Sequence, residues 1–294
     1  MNPQPAAKTA FVLAGGGSLG AVQVGMLQAL AQHGVVPDFV VGASVGALNG
    51  ACYAADPGEA GIARLERIWL RLRRVDIFPL TLRGMALGLL GRRDHLARPD
   101  RLRALIGSGL PCQRLEDTRL PCHVVATDVL DGTEVVLSSG DATAALQAST
   151  ALPAVFPPVT IAARALMDGG IASNTPIAAA LALGATKMFV LPTGSSCALP
   201  APPPGALAMA LHALNLLAMR QLLADIDRFA DRCELVVIPP LCPLAVHAYD
   251  FSQTATLIAR AEAATREWLA AGTRHEDPRW ALLPHRHHPA AATG

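Results

Sequence analysis

Three short stretches carry residues able to do chemistry. In Gly42-Ala43-Ser44-Val45-Gly46 a serine stands among small neighbours. A serine on a strand-to-helix turn projects its Oγ, and small flanking residues let a substrate approach it. In Asp168-Gly169-Gly170 a carboxylate follows the apolar run 161–167. An acid at the carboxyl end of a strand, opened by two glycines, has room for a reactive role. In Gly15-Gly16-Gly17-Ser18-Leu19-Gly20 glycines allow backbone N–H groups to converge on a ligand, and a following helix adds its positive end. Serine needs a base to become nucleophilic, and an acyl intermediate needs donors for its oxyanion. The three stretches together supply a nucleophile, a base and a donor loop.

Each stretch alone has an ordinary reading. The serine motif also suits a glycine turn for close strand–helix packing, and Asp-Gly is a common turn. The glycine loop also matches the dinucleotide fingerprint G-x-G-x-x-G. That fingerprint needs its acid at the carboxyl end of the second strand. Asp38 precedes the predicted strand Phe39–Ala43, so it lies at the wrong end.

The elements that must position these motifs follow from the pattern of apolar residues. Residues 11–14 and 39–43 read as buried strands, and 21–33 and 47–55 as helices. Strand, helix, strand, helix with short connections predicts a parallel sheet covered by helices. Residues 60–74 form a charged amphipathic helix. Strands at 123–128 and 134–137 flank the Asp131-Gly132 turn, a hairpin signal. A helix at 142–149, a proline-marked loop at 151–159 and a single strand at 161–167 lead to Asp168. A helix at 177–183, a strand at 187–192, a long helix at 206–230, a strand at 234–238 and a helix at 254–271 complete the chain. The apolar segment 78–96, with Arg83, Arg92 and Arg93, reads as a lid or surface-seeking segment, or equally as a buried helical hairpin. The apolar run 206–219 reads as core ahead of an acyl channel.

The chain has 294 residues, 52% of them apolar and 16% charged, with a net charge of +1. That is ample for a buried core and excludes global disorder. Near-neutrality with seven Phe, two Tyr and three Trp argues against nucleic acid as a partner. The six cysteines (Cys52, Cys112, Cys122, Cys197, Cys233, Cys242) form no C-x-x-C pair and no zinc-finger spacing, so they read as reduced thiols. No signal-peptide pattern and no run of about 18–20 apolar residues is present. The expectation is a cytoplasmic protein that touches membranes peripherally at most. His275, His285, His287 and His288 lie in a tail, 272–294, expected to be mobile, and no metal site is expected there.

An α/β-hydrolase triad would take His247, or His275, as its third member. The early position of Ser44, after one βα unit, leaves no room for the strands that usually precede such an elbow. The glycine loop ahead of it already provides oxyanion donors.

The order GGGSLG, GASVG, DGG resembles the patatin-like phospholipases. Ala148-Ser149, Pro153, Phe156-Pro157-Pro158-Val159, Asn174 and Pro176 extend the resemblance, which covers residues 9–192. It implies a three-layer α/β/α fold with a mostly parallel sheet, residues 193–271 forming a helical extension packed on the same domain. It implies a Ser–Asp dyad without histidine, no cofactor and no metal, acting on fatty-acyl esters of phospholipids, lysophospholipids or neutral lipids. By position, Ser44 attacks the acyl carbonyl and Asp168 is its base. Gly16 and Gly17, with Val45, would hold the oxyanion. Gly15 and Gly20 complete that loop, and Gly42, Gly46, Gly169 and Gly170 support the two motifs. The alternative is a non-catalytic lipid- or acyl-binding protein on the same fold, against which stand the filled reactive positions. The chain departs from the resemblance at Leu19, where many members carry Arg or Lys. The missing charge tilts the expected substrate toward lysophospholipids or general esters.

Overall fold

The computed structural model describes residues 7–77, 97, 99–194, 199, 201–203, 205–244 and 246–272, with 277, 279, 282, 283 and 285 beyond. The segment 78–96, read as a lid, a surface-seeking segment or a buried hairpin, lies outside the described residues, as do His275, His287 and His288.

Eight strands form one sheet: β1 Thr9–Leu13, β2 Phe39–Ala43, β3 Cys122–Asp128, β4 Glu134–Leu137, β5 Val159–Ile161, β6 Arg164–Asp168, β7 Lys187–Leu191 and β8 Glu234–Val237. The order is β5-β6-β3-β2-β1-β7-β8, with β4 also paired to β3. Strands β3, β2, β1, β7 and β8 run parallel; β4, β5 and β6 are antiparallel additions. Helices α1 Ala21–Gln32, α2 Val45–Ala55, α3 Glu59–Arg71, α4 Asp100–Gly109, α5 Ala142–Ser149, α6 Gly170–Ser173, α7 Ile177–Ala182, α8 Ala206–Phe229 and α9 Thr254–Ala270 surround it.

The layering follows from the two-residue period of the strands. Phe11 and Leu13 of β1 join a core with α1, α2, α3 and α9, while Ala10 and Val12 join another with α7 and α8. Phe189 and Leu191 of β7 divide from Met188 and Val190 in the same way. Central strands buried on both faces make the fold a three-layer α/β/α sandwich. The chain leaves β1 for β2 on one side and returns to β7 on the other. The carboxyl end of β1 is therefore the switch point where open sheets leave a crevice.

One expectation changes. Residues 161–167 are not one strand. Ala162 and Ala163 take φ of 49° and 63°, and the chain turns back between β5 and β6. Two residues of positive φ make the tight hairpin turn that normally calls for Asn or Gly, so the sequence carried no turn signal. Leu282 is buried in the second core, and Arg279 Nη1 meets Asp227 Oδ1 of α8 at 2.9 Å.

Candidate functional site

Ser44 ends β2 and caps α2 with φ 53° and ψ −126°, a conformation that disfavours a side chain with a Cβ. Neighbouring close packing holds it there. A Cβ on Gly46 would run into the backbone carbonyls of Leu13 and Ala14, and one on Gly42 into Gly46. The first turn of α2 thus lies directly on β1. The Ser44 N–H donates to Ser149 Oγ at 2.9 Å, and the Ser149 hydroxyl donates to the Val125 carbonyl at 2.6 Å.

The Ser44 hydroxyl donates to Asp168 Oδ2 at 2.7 Å. Asp168 does not reach the site as the other motifs do. Its strand is antiparallel, descends beside β3 and stops with Asp168 opposite Ala126, one residue past the Val125 that pairs with Ala43. Register, rather than the carboxyl edge of the sheet, puts the acid level with the serine. Asp168 Oδ1 accepts the Gly170 N–H at 2.8 Å, and the Asp168 carbonyl accepts the Thr127 hydroxyl at 2.8 Å. The side chain is enclosed: Asp168 is 4% exposed. Burial pushes its carboxyl up to about 6, against the opposing pull of the hydrogen bonds from Ser44 and Gly170.

The glycine loop divides by function. Gly15 spends its N–H on the Asn174 carbonyl at 2.9 Å and presses against the Ser44 Cβ. Gly16 and Gly17, the latter at φ 59°, line the cavity described below. Among the described residues their N–H groups meet no backbone acceptor. Ser18 anchors the loop, its N–H to the Ala248 carbonyl at 2.7 Å and its hydroxyl to the His247 carbonyl at 3.0 Å. Gly20 does not reach the cavity; it lies under Val45 and Trp69, and its carbonyl accepts from Asn49 at 2.9 Å. Val45, in the first turn of α2, has an N–H beyond the reach of helical acceptors and also lines the cavity. Gly169 donates to the Ser149 carbonyl at 3.1 Å.

A buried polar chain sets the height of this loop. Gln23 of α1 donates to the carbonyls of Ala14 and Leu191, both at 2.9 Å. Asn49 of α2 donates to the Gly20 carbonyl and to Gln23 Oε1, and its own Oδ1 accepts the Trp69 indole N–H at 2.8 Å. Sequence reading passed over these residues. Their signal is a lone amide in an otherwise apolar helix face, where an unpaired amide would be penalised.

Ser44, Asp168, Gly16 and Gly17 open on one cavity of about 560 Å³. Its walls are largely apolar, among them Leu48, Leu65, Trp69, Ile106, Leu146 and Phe156. Leu19 is part of the wall. His247 takes no part in the pair: its ring stacks on Tyr249, with centroids 5.5 Å apart. Burial pushes the thiols of Cys52 and Cys122 up to about 11 and about 12, so both are neutral. Among the described residues no three His, Cys, Asp or Glu side chains converge as a metal would require, and no helix is long and apolar enough to cross a membrane.

The patatin-like phospholipase family model matches residues 11–181. Lysophospholipase NTE1 of Yarrowia lipolytica is 29% identical over 185 residues, covering 63% of this chain and 12% of that protein. An uncharacterized NTE family protein of Mycobacterium bovis is 30% identical over 198 residues, covering 66% of this chain and 51% of that one. The chain thus spans from about an eighth to about half of the length of these relatives. Human GIVD cytosolic phospholipase A2, solved with methyl gamma-linolenyl fluorophosphonate, superimposes with a TM-score of 0.51 at 14% identity, covering 94% of this chain and 59% of that one. That likeness concerns the fold.

Proposed function

The chain belongs to the patatin-like phospholipase family, and from that premise we propose that it hydrolyses fatty-acyl esters through an acyl-enzyme on Ser44, with Asp168 as its only base. The observation that carries this reading is the 2.7 Å contact between Ser44 Oγ and Asp168 Oδ2 on the wall of a largely apolar cavity. The Ser44 oxygen attacks the ester carbonyl while its proton passes to Asp168. The carbonyl oxygen, now negative, is held by the N–H groups of Gly16 and Gly17, with Val45 at the positive end of α2. Collapse breaks the ester bond, and the proton on Asp168 goes to the departing alcohol. Water then gives its proton to Asp168 and attacks the acyl carbonyl; collapse breaks the acyl–Ser44 bond, passes that proton from Asp168 to the departing Ser44 Oγ and frees the fatty acid.

Asp168 suits the role because burial raises its basicity toward the working pH. Gly15 and Gly20 act by placing the loop, Gly15 against Ser44 and Gly20 beneath Val45. Leu19 puts an apolar side chain in the cavity wall where the family resemblance leads one to expect Arg or Lys, which favours single-chain lipids or neutral esters over substrates gripped by a phosphate. The lysophospholipase relative fits that preference.

The test is turnover of a p-nitrophenyl acyl-ester series and labelling by a fluorophosphonate probe, for the parent and for Ser44→Ala. Turnover and labelling in the parent, both lost in the variant, are expected. A parent that neither turns over nor labels would leave a lipid-binding role on this fold and end the hydrolase reading. Retained turnover in Ser44→Ala would remove this mechanism.

A further inference from the structure

Helix α8 has two unlike halves. Its C-terminal half is an ordinary amphipathic helix. Leu222, Ile226 and Phe229 recur at helical spacing, are buried in the second core and alternate with Arg220, Asp227 and Arg228. Its N-terminal half, residues 206–219, has no Asp, Glu, Lys or Arg; His212 is its single titratable side chain. Yet four of its large apolar side chains face solvent. Leu217 is 61% exposed, Leu216 51% and Met209 44%, and Leu214 is exposed beside them. Single exposed apolar residues need no explanation, but a contiguous uncharged helical stretch marks a contact surface.

What covers it is indicated by where the patch leads. Leu214, Leu217 and Ala218 are also part of the wall of the cavity that holds Ser44 and Asp168. So is Ile171 of α6, itself 40% exposed. The exposed apolar face and the apolar cavity are one continuous surface, and an acyl chain could pass along Leu217 toward Ser44 without crossing water. A protein partner would need no such continuity. The stretch itself carries no charge with which to attract anionic head groups.

We propose that the N-terminal half of α8 docks the protein on a zwitterionic lipid surface and forms the entry by which acyl chains reach the cavity. This rests on the cavity being the acyl site. Met209 and Leu216 insert among the lipids without lining the cavity, whereas Leu214 and Leu217 serve both surfaces.

The test uses vesicles of phosphatidylcholine and the full chain carrying Ser44→Ala, so that the vesicles stay intact. Co-sedimentation is measured with and without Met209→Glu and Leu216→Glu together. Binding is expected to persist at high salt and to weaken about tenfold or more in the charged variant. With Ser44 restored, the same two substitutions should leave turnover of a short soluble ester within about twofold, since neither residue touches the cavity. Absence of vesicle binding by the uncharged protein, equal binding by the two proteins, or binding abolished by salt would each overturn the proposal. So would sedimentation showing a dimer that the substitutions dissociate without any vesicle binding, which would assign the face to a second copy. A parent inactive on the soluble ester would sink the hydrolase reading and leave the vesicle result to be judged separately.

Discussion

The hydroxyl of Ser149 holds the backbone N–H of Ser44 at 2.9 Å, while the carbonyl of the same Ser149 accepts from Gly169, the residue after Asp168. One fully buried residue at the end of α5 therefore fixes both halves of the reactive pair. The contact to Ser44 matters because φ of 53° is held only where the surroundings over-determine it. Ser149→Ala would leave the Ser44 N–H and the Val125 carbonyl without their shared partner. The expected result is a fall in kcat of about 10- to 100-fold with KM on a soluble ester little changed, as for a small misplacement of a reacting group. Ser149→Thr, which keeps the hydroxyl, should recover much of the loss. Equal kcat in Ser149→Ala and the parent would show that the elbow does not depend on this bond.

Asp168 gives a pH dependence whose sign can be worked out. As a base it must be unprotonated, so kcat/KM should rise with pH through a value near 6 and level off above it. Stability should run the other way. A carboxyl raised from 3.8 to about 6 on folding binds a proton more tightly in the native state, so native stability falls as pH climbs through that window. Above it the penalty is complete, at about 3 kcal/mol. Asp168→Asn keeps a side chain that can accept from Ser44 and removes the charge. It should lose nearly all turnover yet melt higher than the parent at pH 8, with the difference shrinking toward pH 4. A melting temperature for Asp168→Asn below the parent's at pH 8 would refute the burial argument.

Much of the sheet was legible in the residues, and the two residues read as a candidate pair, Ser44 and Asp168, lie 2.7 Å apart. The apolar runs at β1 and β2, the Asp131-Gly132 hairpin and the three glycine motifs each reflect a local rule that the fold obeys. What escaped lacked a local signal. The β5–β6 hairpin turns on two alanines, so nothing marked it. Asp168 does end its strand, but that strand is antiparallel to β3, so its level beside Ser44 is a matter of long-range register. The stretch 206–219 read as core because its composition is apolar; only the tertiary arrangement reveals that Met209, Leu214, Leu216 and Leu217 are left exposed. Gln23 and Asn49 did carry a signal, as amides among apolar helical neighbours, but their partners come from other elements.

Those two amides support a prediction about stability. Asn49→Ala would unpair the Trp69 indole, the Gly20 carbonyl and Gln23 Oε1 in a buried site. Each orphaned buried group is penalised by about 1–3 kcal/mol, with some relief from rearrangement. A loss of about 2–4 kcal/mol is expected by denaturant unfolding. The loop resting on Gly20 should loosen with it, so fluorophosphonate labelling should slow more than the folded fraction alone explains. An unfolding midpoint within error of the parent's would mean that water or repacking replaces the network.

The final prediction concerns chain length. The cavity of about 560 Å³ is bounded by apolar residues from several elements, and Ile106 of α4 is a buried member of that wall. Ile106 makes none of the hydrogen bonds at the reactive pair, so enlarging it should change capacity and leave the chemistry intact. Ile106→Trp adds bulk to a wall that an extended acyl chain must pass or occupy. Turnover of acetyl and butyryl esters should stay within about twofold of the parent, while kcat/KM for long acyl esters should fall about tenfold or more, because several methylenes lose burial at about 0.8 kcal/mol each. The preferred chain would then be shorter in the variant. An equal decline at every chain length would indicate damage to folding, and an unchanged length profile would mean that the acyl chain lies elsewhere than in this cavity.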